Sequence, residues 1–145
     1  MNLLDSALKI LSLRPHSKQE VINFLRRKTS DAALINQTIA KLEKAKLIND
    51  EEFAKWYIES RSRTRPRGAR LLSHELKQKG IDTATSNLES SSLDEVSLAT
   101  KALEKKQKMW SKLSANDFKL KATSYLQYRG FSWDTIAKVV KKRYN

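Results

Sequence analysis

Phe24-Leu25-Arg26-Arg27-Lys28-Thr29 returns as Glu75-Leu76-Lys77-Gln78-Lys79-Gly80, and again as Tyr125-Leu126-Gln127-Tyr128-Arg129-Gly130. The three leucines stand 51 and 50 residues apart, and each is followed three positions later by a cation, then by Thr or Gly. Beyond the first and third copies a helical spacing of apolar residues resumes, in Ile35/Ile39/Leu42 and in Ile136/Val139/Val140. A period of this length, holding two or three helices per unit, is the signature of a helical array. Such an array presents extended surface before it presents a deep cleft.

Composition points the same way. Only 3 Gly and 2 Pro occur among 145 residues, too few for the turns of an all-β chain. The expected fold is all-α, a tandem array of three three-helix repeats, elongated and curved. The expected boundaries are residues 1–48, 49–91 and 92–145. No stretch approaches the roughly 18 apolar residues that cross a bilayer, and Met1-Asn2-Leu3-Leu4-Asp5 lacks the basic region and apolar run of a signal peptide. A cytoplasmic monomer without membrane contact is expected. The absence of cysteine excludes disulfides and thiolate metal sites.

Caps mark the helices. Pro15 stops a first helix carrying Leu4, Ala7, Leu8 and Leu11, and Ser17-x-x-Glu20 is a capping box for the second. A third starts near Asp31. Asn49-Asp50-Glu51-Glu52 combines an N-cap with acids suited to a helix N-terminus, ahead of Phe53, Trp56 and Tyr57. Leu72 and Leu76 face inward on the next helix, and Gly80 suits the left-handed position beyond its end. Residues 83–92 are rich in Ser and Thr, poor helix material. Ser92-x-x-Glu95 reads as a second capping box, opening a helix that extends towards Trp110. A helix over about 116–129 and another capped by Ser132 complete the array.

Charge identifies the class of partner. With 29 Lys+Arg against 16 Asp+Glu the net charge is +13, and residues 101–145 alone hold 12 cations and 3 acids. Such an excess repels itself unless a polyanion is the usual neighbour. Within residues 61–70, five arginines occur with no acid: Arg61, Arg63, Arg65, Arg67 and Arg70. One or two would complement a helix C-terminus; five exceed that need, and guanidinium suits bidentate contact with phosphate and carboxylate. Lys77, Lys138, Lys141 and Lys142 are further candidates for nucleic-acid or partner contact, the C-terminal run being equally a solvated face.

Catalysis lacks residues to carry it. His16 and His74 lie in different units, Glu51 and Glu52 are capping acids, and the glycines stand alone rather than in a phosphate loop. The chain reads as a non-enzyme without metal or cofactor. Trp56, Tyr57, Phe118 and Tyr125 have core spacing, whereas Trp110 and Trp133 are the aromatics with prospects of exposure.

Leu47-Ile48-Asn49-Asp50-Glu51-Glu52-Phe53-Ala54 through Tyr57 and Ser60-Arg61, followed by Arg67-Gly68-x-Arg70-Leu71 and Glu75-Leu76-x-x-Lys79-Gly80-Ile81, resembles the RecX family of bacterial recombination regulators. Ala7-Leu8-x-Ile10-Leu11, Arg14-Pro15-x-Ser17-x-x-Glu20 and the closing Arg129-Gly130-Phe131-Ser132 fit the same pattern. The resemblance implies an all-helical array of three-helix repeats that binds the RecA recombinase. It implies action on the RecA–single-stranded-DNA filament, limiting ATP hydrolysis, strand exchange and the coprotease activity behind the SOS response. Thr29 departs from the glycine of the other copies, and the serine-rich stretch departs from a more strongly helical one. The alternative, drawn from charge alone, is a sequence-tolerant DNA-binding protein whose helix-turn-helix-like modules bind duplex directly.

Overall fold

The computed structural model describes residues 2–144, with side chains described as far as Lys141. Among the described residues all regular structure is helical, in nine segments. The first unit contains α1 (Leu3–Leu13), α2 (Lys18–Arg26) and α3 (Ala32–Lys44); the second α4 (Asp50–Thr64), α5 (Ala69–Gln78) and α6 (Thr83–Ser91); the third α7 (Glu95–Glu104), α8 (Ala115–Tyr128) and α9 (Trp133–Tyr144). Each unit closes on its own core. The first gathers Val21, Leu25, Ile39 and Leu42, the second Phe53, Tyr57, Leu72 and Leu76, and the third Leu103, Phe118, Leu126 and Ile136. Leu25, Leu76 and Leu126, the fixed point of the repeated phrase, are wholly buried.

Several helix starts follow the caps visible in the sequence. Ser17 forms both bonds of its capping box with Glu20, and Asn49 accepts from the backbone N–H groups of Glu51 and Glu52. Gly80 and Gly130 have φ of 85° and 86°, and the chain closes behind them with Ile81 N–H to Leu76 O and Phe131 N–H to Leu126 O, both 3.1 Å. These are Schellman closures, in which a side chain at the glycine would be strained. Thr29 does not adopt this conformation; Lys46 (φ 59°) is the sole described non-glycine residue at positive φ.

The weakest of the expected helices, from about Asp82, is present, and two other expectations are corrected. The serine-rich stretch forms a complete nine-residue helix, α6, capped by Asp82, which accepts from Thr85 N–H at 2.6 Å. Ser86 and Ser90 are buried where α6 packs on α4 and α5, so small size at the interface outweighs weak propensity. Ser92 does not cap α7. Asp94 does so, accepting from Ser97 N–H, while the Ser92 hydroxyl donates to Glu89 O behind α6. The helix expected to run towards Trp110 ends at Glu104, and the chain turns back so that Trp110 packs edge-on against Phe118 and Tyr125 inside the third core.

Candidate partner-binding surface

The units join through a backbone contact that only glycine permits. Gly68, just ahead of α5, donates its N–H to Arg129 O at 2.8 Å. A Cβ at Gly68 would overlap the Gly130 and Phe131 backbone, and one at Gly130 would overlap Leu71. Arg129 is buried beside this contact and donates to Pro66 O at 3.0 Å and Arg65 O at 3.1 Å. Burial lowers its pKa, and the nearby Arg67 charge lowers it further. Glu95, released from the expected capping box, spans the seam instead. Its carboxylate accepts from Ala69 N–H at 2.7 Å, Ser132 N–H at 3.4 Å and the Thr135 hydroxyl at 3.1 Å. One carboxylate thus serves the positive ends of both α5 and α9.

The first two units meet in the same way. The Ser17 hydroxyl donates to Lys79 O at 2.7 Å, and a Cβ at Gly80 would strike Gln19. In both seams the start of one unit's middle helix rests on the glycine turn that ends the next unit's middle helix. Thr29 occupies that turn in the first unit, and no other unit rests on it among the described residues; glycine is not required there.

Glu20 is the ionic centre of this first seam. It pairs with Arg14 at 2.9 Å and Lys79 at 3.4 Å and accepts from Ser17 N–H at 3.0 Å, while Arg14 also lies over Trp56. Burial alone would raise its pKa, but the Arg14 and Ser17 hydrogen bonds and the two cations leave it below the ordinary carboxylate value. Its folded pKa being depressed, the stabilisation is present above the unfolded value and lost as pH falls through the folded one. Glu20→Ala is therefore expected to cost about 1–2 kcal/mol at neutral pH. Melting across pH should show the wild-type advantage shrinking below the ordinary glutamate range; a pH-independent difference would contradict this account.

The seam between the second and third units also places the arginine segment. Two of the five side chains serve the fold. Arg67 is buried and pairs with Glu75, its Nε donating to Arg65 O, and the Tyr57 hydroxyl donates to the same carboxylate at 3.2 Å. Arg61 is half-buried, with its guanidinium 4.6 Å from the centre of the Tyr57 ring. Arg63, Arg65 and Arg70 are exposed. Arg63 has only a loose, exposed pair with Glu59 at 3.9 Å, and Arg70 donates to Gln127 O at 3.0 Å.

Lys105, which the sequence reading passed over, donates to Thr64 O at 3.1 Å and adds a cation to this group. Its signal is faint, a lysine 41 residues from its acceptor. Lys77 continues the patch along α5: with Arg70, Ser73, His74 and Asn87 it lines a shallow groove of about 460 Å³. Lys138 and Lys141 are exposed on α9, apart from the arginine segment in sequence and element. Lys142 lies outside the residues whose side chains are described. His16 is in the α1–α2 turn, its pKa lowered chiefly by burial, and His74 is on the surface of α5. Among the described residues no three His, Cys, Asp or Glu side chains gather as metal ligands, and no helix is long and apolar enough to cross a membrane.

The arrangement offers a surface for contact: exposed arginines on a segment hydrogen-bonded to the neighbouring unit. Comparison with known proteins gives a consistent family. Residues 4–42, 49–86 and 94–140 match the models of the first, second and third three-helix domains of RecX. The chain is 37% identical over 136 residues to regulatory protein RecX of Bacillus subtilis, covering 92% of this chain but 52% of that protein. Identity to regulatory protein RecX of Pelodictyon phaeoclathratiforme is also 37%, covering 93% of this chain and 84% of the relative. The chain thus spans about half the length of the Bacillus relative and most of the other. The crystal structure of RecX from Lactobacillus salivarius superposes with a TM-score of 0.85 at 26% identity, covering 97% of this chain and 93% of that one.

Proposed function

The chain belongs to the RecX family, and from that premise we propose that it inhibits the RecA recombinase by binding the RecA–single-stranded-DNA filament. The reading is of a monomeric cytoplasmic regulator, in which residues 1–48, 49–91 and 92–145 act as successive modules. Filament binding limits ATP hydrolysis, strand exchange and coprotease activity by obstruction and by restraint of filament conformation, with no bond made or broken by the chain itself. The observation that carries the reading is the exposed trio Arg63, Arg65 and Arg70 at the seam of the second and third units. Guanidinium groups on a pre-formed ridge engage DNA phosphates and acidic protein surface alike. Lys77 and Lys105 extend the ridge; Lys138 and Lys141 are exposed on a second basic face of the third unit, and Lys142 is a further candidate contact. Arg61 and Arg67 support the ridge from beneath.

RecA ATPase on single-stranded DNA, titrated with this protein, tests the proposal. Inhibition well below one molecule per RecA is expected. Inhibition appearing only when the protein coats the DNA, and abolished by added free DNA, would favour direct DNA binding by the three-helix modules.

A further inference from the structure

The third unit has a feature that the arginine ridge does not use. Between α8 and α9 runs an open groove of about 660 Å³, lined by Ala115, Trp133 and Ala137 over a floor of the buried core residues Ile136 and Val140, with Lys119 and Lys141 also lining it. Among the described residues no acidic side chain lines it. Trp133, at the first position of α9, leaves 63% of its surface exposed.

A groove also lies at the α5–α6 position of the second unit, but its lining is polar and basic, so the apolar wall is particular to the third. Moving back 50 residues places Thr123 and Ala137 on Ser73 and Asn87, and Trp133, Ile136 and Val140 on Thr83, Ser86 and Ser90. In the second unit that α5–α6 seam is crossed by a hydrogen bond from the Ser73 hydroxyl to Asn87 Oδ1 at 2.5 Å. In the third unit the bridging pair has become Thr and Ala, and the serines have become Ile and Val. The same architectural position is a polar groove crossed by a side-chain hydrogen bond in the second unit and an apolar groove in the third.

We propose that the α8–α9 groove is a docking site for an acidic amphipathic helix presented by a protein partner. A long groove between two helices accepts apolar side chains spaced i, i+4, i+7 from a third helix. Trp133 supplies an aromatic anchor of the kind that carries a large share of interface energy. Charge selects the occupant. Lys119 and Lys141 border the apolar wall, Lys138 is exposed on α9, and residues 101–145 carry 12 cations against 3 acids. A helix with carboxylates flanking its apolar stripe meets both features, whereas a basic or neutral helix meets one. The site is distinct from the arginine ridge and does not depend on the function proposed for it.

The full chain is titrated into a fluorescein-labelled 18-residue peptide with Leu and Phe at i, i+4 and i+7 and Glu at most other positions. Binding followed by anisotropy should exceed that of a scrambled peptide of equal composition at least tenfold. Ala137→Arg, which fills the groove from an exposed helical position, should weaken binding tenfold or more. Lys119→Glu with Lys141→Glu, which leaves the wall intact, should do the same and reduce the salt dependence. Ser substitutions at Arg63, Arg65 and Arg70 should leave peptide binding unchanged, so failure of this site and failure of the ridge are separable. Equal binding of the scrambled peptide, or full binding by the folded groove variants, would overturn the proposal. It would also be overturned if sedimentation showed groove-dependent self-association, or if single-stranded DNA displaced the peptide from the groove; these results would assign the groove to a second copy or to nucleic acid.

Discussion

Gly130→Val is expected to destabilise the protein by about 3 kcal/mol, the largest loss of stability foreseen for any single substitution here. Two costs combine. A β-branched residue held at a φ of 86° is strained by roughly 1–2 kcal/mol. Its side chain must also enter space filled by Leu71, and over-packing of this kind costs about 1–3 kcal/mol. For a chain of this size the shift in Tm is on the order of 10 °C, followed by circular dichroism. Gly80→Val should fall in the same direction. Gly68→Ala is the sharper test, because its φ of −81° is ordinary and strain plays no part. Any loss there comes from a Cβ meeting the Gly130 backbone across the seam. Thr29 should tolerate replacement by Gly with only a few tenths of a kcal/mol lost. Wild-type melting of Gly130→Val and Gly68→Ala would refute the glycine seam.

The second large effect falls on binding. Ser substitutions at Arg63, Arg65 and Arg70 together should leave melting almost unchanged, since exposed cations contribute little to stability. Affinity for the RecA–single-stranded-DNA filament should drop about 100-fold or more, the equivalent of one or two charge-assisted contacts at ~1.5–3 kcal/mol each. If the contacts are to phosphate, the log–log salt dependence of DNA binding should flatten by roughly 0.7 per contact removed. An unchanged salt slope alongside a filament defect would assign the arginines to RecA protein. Arg67→Ser should behave differently. It leaves Glu75 without its main partner in a half-buried site, so its loss should register as about 2 kcal/mol of stability. Full inhibition by the folded triple variant would remove the ridge from the mechanism.

The contrast between Arg67 and its neighbours shows where sequence reading reaches its limit. Leu25, Leu76 and Leu126 announced both the repeat and its core, because helical periodicity and burial have the same cause. The Ser17 and Asn49 caps were legible because their partners lie two or three residues away. Glu95 was not: its partners are at Ala69, Ser132 and Thr135, and local spacing offered Ser92 in their place. Arg129 looked like an ordinary cation beside a turn, although its acceptors are 63 and 64 residues distant. The five arginines of residues 61–70 are alike in charge and density, and packing alone divides them into buried or half-buried supports and exposed side chains. In α6, weak propensity was a true property of the peptide that burial of Ser86 and Ser90 against the neighbouring helices overrode. Trp133 and Trp110 were indistinguishable by spacing; the turn after α7 buries one and leaves the other in solvent.

The glycine seam also has a mechanical meaning. Gly68 N–H is bound to Arg129 O, Arg129 holds the carbonyls of Arg65 and Pro66, and Arg70 reaches Gln127 O. The link between α4 and α5 is consequently braced by the third unit instead of swinging as a free loop. Fixing a backbone residue costs about 1–2 kcal/mol of entropy, and here that cost is met when the chain folds rather than when a partner arrives. A pull on Arg65 or Arg70 is likewise passed into α8 through hydrogen bonds instead of being absorbed by slack. Two modules thereby share any load placed on the ridge, which meets it with the stiffness of both.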